Sequence, residues 1–448
     1  MKRILNKFFS NRIIINIIKM LSGTMMGQLI SILTVPITSR IYGAELYGDL
    51  AVFTSMSSIC TSFLGFGLAS AIMVEKTDYE AMQTYKIAIN LTNVAVILIA
   101  MIAVILSPFI QFIKSSLPYV GMIGLVAFYV ITTNQINMLY AWLNRKGKYN
   151  VLLFNPIITP IVNNGFAIIL GLIGFTNVGL YVGLVVAQLI TLLHMFRHMD
   201  KIEYRLRYRD VGSIIKRNKD FVLYQYPASL MNTVVGNLPV QILSVYFGNI
   251  VVGYYSMAMK LLNIPTSILS SSITRVYFKE ATDIQHANGN TRAYTYKLCK
   301  IVMSIYLIPI VGILMLGDLV IPFVLGAEWT DSVIYIKIMA VWNLFVIGTN
   351  CSSGFASVIN KQKINMFISL AKLLVLPIVM IVSYYLWRNP YVTLILYVLS
   401  YAVINTTYYE KLIGEDKTLK YEYLKLSLLF GGIVSILCLL FSLIPTYL

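Results

Sequence analysis

Five polar residues in one apolar stretch stand where a helix would put them on a single face. Lys260, Asn263, Ser267, Ser271 and Thr274 follow one another by three or four residues, the spacing of neighbours along an α-helix. The ammonium of such a lysine is a partner for an anion such as a phosphate or pyrophosphate. Amides and hydroxyls on the same face belong toward protein or water rather than lipid. Arg275 lies near the end of the same stretch, and further polar faces run through Thr24, Gln28, Ser31 and Thr38 and through Gln225, Ser229 and Asn232. Ser55, Ser58 and Ser62 form another, for which bonding between packed helices is the better account. Arg40 and Asp49 flank a short turn, where they pair with each other or leave Arg40 to meet phosphate. The candidate binding residues are therefore Lys260, Asn263, Ser267, Arg275, Arg40, Gln28 and Asn232.

Each has a structural competitor. Lys260 lies some nine residues inside the outer end of its apolar stretch, a depth of about 13 Å that a lysine stem only partly covers by snorkelling. Lys337 is shallower, and snorkelling accounts for it; Asp318 either pairs with it or caps a break after Gly317. Lys372 is deeper, facing either a helix-bundle interior or a cavity. His194 and His198 are four apart but have no carboxylate or cysteine cluster beside them, which argues against a metal. Cys60, Cys299, Cys351 and Cys438 are scattered without a CxxC pair, so neither disulfides nor a thiolate metal site is expected. No catalytic residues, metal or cofactor are expected.

The elements that must position these residues are set by composition. Of 448 residues, 58% are hydrophobic and 12% charged, and the mean hydropathy is +0.77. A soluble domain, with about 25% charged residues, cannot hide that much apolar surface. Apolar windows recur near 14–39, 48–74, 87–111, 117–143, 149–173, 177–196, 221–247, 251–277, 298–325, 333–358, 364–386 and 391–409, with a thirteenth near 426–446. Each is long enough to cross a bilayer. The net charge of +17 is a matter of topology: 29 of the 35 basic residues fall in alternate connections if the N-terminus is cytoplasmic, the positive-inside bias of a multi-pass membrane protein. Nucleic acid is not expected as a partner; membrane lipid is. Lys2, Arg3, Lys7 and Arg12 precede the first span without a cleavage pattern, so the N-terminus is read as retained and cytoplasmic.

The longest polar segment, 198–220, is strongly basic and leaves six of the first twelve spans on either side. An even number per half makes the halves parallel repeats about an axis along the membrane normal. Internal similarity supports this. Tyr42-Gly43 is followed after four residues by Gly48, and Phe247-Gly248 after four by Gly253; Asn144-Arg-Lys-Gly-Lys-Tyr-Asn150 is matched by Asn360-Lys-Gln-Lys-Ile-Asn365. The expected division is 1–210, 211–410, and a C-terminal 411–448 with a loop and an additional transmembrane helix. Gly23-x3-Gly27 and Gly179-x3-Gly183 are read as close helix contacts.

Three stretches, "PITSRIYGAELYGDLAVFTSM" (36–56), "LNRKGKYN" (143–150) and "VLGAEWTDSVIYIKIMA" (324–340), resemble the bacterial polysaccharide-repeat-unit exporters. These O-antigen and capsule flippases belong to the superfamily that also holds the multidrug and toxic-compound (MATE) exporters. The resemblance implies an all-α, MATE-like fold of two six-helix lobes with spans one, two, seven and eight around a cavity. The cargo it implies is undecaprenyl-pyrophosphate-linked oligosaccharide, moved from the cytoplasmic to the outer leaflet of the bacterial plasma membrane, with a polysaccharide polymerase and chain-length machinery as associated partners.

Beside this stand two other functions. A cation or drug exporter of the same fold wants a buried carboxylate, and spans one, two, seven and eight have only Asp49 at a span end. A membrane glycosyltransferase, polymerase or ligase wants placed acid/base groups and a sizeable external loop, whereas the external connections are short turns.

Overall fold

The computed structural model describes residues 12–106, 119–200, 212, 226–287, 289–352, 354–359 and 361–443. Gln225, Lys2, Arg3, Lys7 and most of the basic segment 198–220 lie outside the described residues. The described chain is helical and contains no strand. Its first long helices are α1 (Arg12–Ile41), α2 (Ala44–Leu64), α4 (Asp78–Leu106), α5 (Tyr119–Arg145), α6 (Tyr149–Leu172) and α7 (Thr176–Arg197), with a short α3 (Leu68–Val74) after α2. There follow α8 (Tyr226–Phe247), α9 (Asn249–His286), α10 (Thr291–Leu325), α11 (Ser332–Cys351), the one-turn α12 (Phe355–Val358), α13 (Gln362–Trp387), α14 (Pro390–Ile413) and α15 (Glu422–Leu443). Nine helices among the described residues are long and apolar enough to cross a membrane. Their outer faces say the same: Ile308, Leu319 and Phe323 of α10 are 73%, 74% and 78% exposed, a face that needs lipid around it.

Two expected spans are interrupted. The window 48–74 breaks after Leu64, where Phe66 (φ 50°) and Gly67 (φ 67°) are left-handed, and resumes as α3. The window 333–358 ends as a long helix at Cys351 and resumes only as α12. At 38 residues α9 is about 57 Å long, well beyond a bilayer's hydrocarbon thickness. Local chemistry sets several ends. Asn389 accepts from the Tyr391 N–H at 2.9 Å with Pro390 as the first helical residue of α14, and Asn290 accepts from Ala293 N–H at the start of α10.

Two compact units divide the chain: Met1–Tyr42 with Asp49–Asn237, and Gly43–Gly48 with Leu238–Leu448. In the first, small residues bring helices together. A Cβ on Gly23 would stand 2.3 Å from the Leu153 carbonyl oxygen, and one on Gly27 1.9 Å from that of Pro156. Pro160 has no N–H to give the Pro156 carbonyl, so that oxygen is free to face the Gly27 backbone. Gly179 and Gly183 likewise admit the Tyr42 hydroxyl and the Asn163 carbonyl, as their spacing predicts. Trp142, Met138, Leu152 and Met195 form the apolar centre of this unit.

In the second unit a polar network crosses the interior. Thr266 Oγ1 donates to Asn343 Oδ1 and meets the Tyr306 hydroxyl, both at 2.8 Å. At one end Glu415 holds Arg292 (2.5 Å) and Lys361 (3.0 Å) together. The Glu415 carboxyl is partly desolvated, yet those two cations hold its pKa below the ordinary value. The additional C-terminal helix α15 packs against α10 and α14.

Candidate functional site

The two repeated turns come together. Gly48 faces the Asn249 carbonyl, 1.8 Å from where a Cβ would be, and Gly253 faces the Ala44 carbonyl at 1.9 Å. Ala44 and Asn249 each stand four residues before a glycine of the pair, so the contact is reciprocal. Only glycine permits backbones this close. Glu328 closes the crossing. Its Oε1 accepts from the Ala44 N–H at 3.2 Å, a carboxylate at the positive end of α2, and Gly43 leaves it room, since a Cβ there would be 2.4 Å from the same oxygen. Tyr47 meets Trp329 edge-on with ring centroids 5.4 Å apart, and Tyr254 meets Trp329 at 6.1 Å.

Lys260 belongs to this assembly. Its ammonium lies 5.7 Å from the centroid of the Tyr47 ring, a cation–π contact that steadies the charge without neutralising it. Among the described residues no carboxylate pairs with it. Further along the same helix Asn263 is exposed and Ser267 donates to the Ile264 carbonyl at 2.9 Å. Thr274 donates to the Asn350 carbonyl at 2.9 Å, tying α9 to α11. The side chains of Ser271 and Arg275 lie outside the described residues. Tyr47, Glu328 and Trp329 were missed by sequence reasoning, although all three lie within the stretches that carried the resemblance.

The remaining candidates belong to the first unit. Arg40 is exposed in the last turn of α1, Gln28 is half-buried in that helix, and Asn232 is exposed on α8. Ser31 and Thr38 donate back to carbonyls of their own helix, and the Asn164 amide donates to Thr34 at 2.7 Å; these polar groups are used in packing. Ser58, Ser62 and Ser229 line a cavity of about 370 Å³ beside the break after α2.

The other titratable groups singled out in the sequence have contacts inside their units. Lys337 pairs with Asp318 at 2.6 Å, so the shallow lysine is held by an ion pair, and α10 runs unbroken through Gly317. Lys372 stands 4.4 Å from the centroid of the Tyr401 ring. His194 meets Asn155 Oδ1 at 3.0 Å and His198 meets the His194 carbonyl at 2.8 Å. Among the described residues no cluster of three metal-binding side chains occurs.

Long apolar helices, a lipid-ready surface and a polar, cationic crossing of two repeated turns define a multi-pass helical membrane protein. Its fold is that of the lipid II flippase MurJ in an inward closed conformation, with a TM-score of 0.71 at 14% identity over 96% of this chain and 98% of that one. A family model described as "Polysaccharide biosynthesis protein" matches residues 37–334, and the chain belongs to that family. It is 23% identical over 312 residues to the lipopolysaccharide biosynthesis protein WzxC of Escherichia coli (strain K12), covering 69% of this chain and 62% of that protein. To the succinoglycan biosynthesis transport protein ExoT of Rhizobium meliloti (strain 1021) it is 23% identical over 314 residues, covering 66% and 59%. The chain thus spans about three fifths of the length of these curated relatives.

Proposed function

We propose that this protein is a flippase for undecaprenyl-pyrophosphate-linked oligosaccharide repeat units of an O-antigen, capsule or exopolysaccharide. It carries them from the cytoplasmic to the outer leaflet of the bacterial inner membrane, with its N-terminus in the cytoplasm. Translocation forms no bond and needs no catalytic pair. Family membership supports the reading, as do a relative named for transport and a fold shared with a lipid flippase. The observation that carries it is Lys260, a cation on a polar helix face, steadied by Tyr47 and without a carboxylate among the described residues. Such a group binds the pyrophosphate on its way through. Arg275 and Arg40 serve entry and exit, and Gln28, Asn232, Asn263 and Ser267 meet the polar parts of the cargo. Alternating access follows from residues 1–210 rocking against 211–410 as two six-helix lobes. Polymerase and chain-length proteins act on the delivered unit. A cation or drug exporter is the weaker reading, because the four spans assigned to the cavity carry, among the described residues, a single buried carboxylate, Asp49 near the start of α2, and none at mid-span.

Lys260→Ala decides between them. It should lower surface polysaccharide roughly 10- to 100-fold at unchanged protein level, the loss of one charge-assisted hydrogen bond. Lys260→Arg should retain more export than Lys260→Gln. Wild-type export by all three variants would remove the basis of the proposal.

A further inference from the structure

The cavity beside the α2 break lies wholly within the first unit and differs in chemistry from the surroundings of Lys260. Its lining among the described residues comes from α2, the Gly65–Gly67 turn, α3, α5 and α8 from Tyr226 on, and includes Asn134, Asn137, Thr61, Thr133, Tyr129 and Tyr226 and no charged side chain. Asn134 Nδ2, Thr61 Oγ1 and Thr133 Oγ1 are buried without a hydrogen-bond partner among the described residues. A buried polar group left so costs about 1–3 kcal/mol, and three around one cavity point to a guest that both donates and accepts.

The backbone is shaped for that cavity. Phe66 takes a left-handed conformation that side chains other than glycine disfavour. Gly65 lets Asn134 come close, since a Cβ there would stand 2.9 Å from Asn134 Oδ1. Tyr226 donates to the Phe63 carbonyl at 2.5 Å, securing a backbone oxygen of the last α2 turn.

We infer that this cavity is a glycan subsite, receiving one neutral sugar ring of the transported lipid-linked saccharide. The assignment rests on the flippase reading and adds which part of the cargo is held here. Among the described lining residues an anion finds no lysine or arginine, and a cation finds no carboxylate. Sugar hydroxyls donate and accept at once, matching amide and threonine groups, and Tyr129 and Tyr226 add aromatic surface to the same lining. A volume of about 370 Å³ falls at the lower end of the roughly 300–1,000 Å³ of small-molecule sites, which suits a monosaccharide-sized guest.

Binding to the purified full-length chain in nanodiscs tests this with two probes: undecaprenyl pyrophosphate, and the lipid-linked saccharide fraction extracted from membranes of the producing cells. Asn134→Leu and the nearly isosteric Thr133→Val should each weaken the saccharide-bearing probe about tenfold, the loss of one partner to a buried polar group, while leaving undecaprenyl pyrophosphate unaffected. Lys260→Ala should weaken both probes. If Thr133→Val and Asn134→Leu, folded to the wild-type thermal midpoint, change neither probe or both equally while Lys260→Ala still weakens both, the subsite is overturned and the flippase reading survives. Sodium-dependent binding that these variants abolish would make the cavity a cation site and overturn it as well. A wild-type protein that binds neither probe would overturn both readings.

Discussion

Lys260 and Lys337 show how one residue type acquires two fates. Both are single lysines in apolar helices, and both meet a partner: Lys260 an aromatic face, Lys337 a carboxylate. A ring face leaves the positive charge available to an anion, whereas Asp318 uses up the charge of Lys337. The Lys337 side chain is only 12% exposed against 36% for Asp318, so the ammonium suffers more when the pair is broken. Asp318→Asn should therefore lower the thermal midpoint of the detergent-solubilised protein, at a cost of about 1–3 kcal/mol. Adding Lys337→Met to it should restore most of the loss, because removing both partners leaves no uncompensated charge. A double variant no more stable than Asp318→Asn would show that the pair is not what stabilises this site.

Among the described residues several helices approach one another at a glycine that leaves room for a facing carbonyl, and the crossing of the two repeated turns is the tightest case. Gly48→Ala and Gly253→Ala would each place a methyl less than 2 Å from a carbonyl oxygen, and neither backbone can retreat without displacing α2 or α9. Each should cost about 1–3 kcal/mol or more, as overpacking does, seen as lost monodisperse protein in size-exclusion chromatography. Gly165→Ala in α6 and Gly312→Ala in α10 are the controls, with nothing within 4 Å of the added carbon; they should be neutral or stabilise by about 0.5–1 kcal/mol. Equal tolerance of all four substitutions would contradict the close crossing. The α2 break is the complementary device, where the helix stops and lets Asn134 approach Gly65.

At the scale of the whole molecule the proposed cargo carries charge through an electrical field. Two uncompensated negative charges leaving a cell that is negative inside gain about 5 kcal/mol per 100 mV. The polar stripe of α9 from Lys260 to Thr274 contributes one lysine to that balance and no carboxylate, so compensation by protein charge is incomplete. Transport in proteoliposomes should quicken with a potassium diffusion potential, negative on the cytoplasmic side, at zero pH gradient. Labelled lipid-linked oligosaccharide reports the rate. Indifference to voltage with sensitivity to pH or sodium would replace this energetics with ion exchange.

Much of the molecule is a direct consequence of local sequence. Lipid solvates no bare backbone, so long apolar windows must become helices, and the small-residue spacings of Gly23-x3-Gly27 and Gly179-x3-Gly183 already marked helix contacts. Asn389 before Pro390 marks a helix start by chemistry confined to neighbouring residues. The Gly65-Phe66-Gly67 signal was present too, but hydropathy alone carries the window across it, because a break within an apolar run costs no polarity. What no local pattern contains is pairing at long range. Glu328 caps a helix that begins 284 residues earlier, and Lys260 reaches Tyr47 only because two glycines let their turns cross. A polar stripe repeats identically whether it faces a neighbouring helix or an aqueous path, so the different uses of Thr274 and Lys260 were decided by what packs opposite each of them, which only the folded chain specifies.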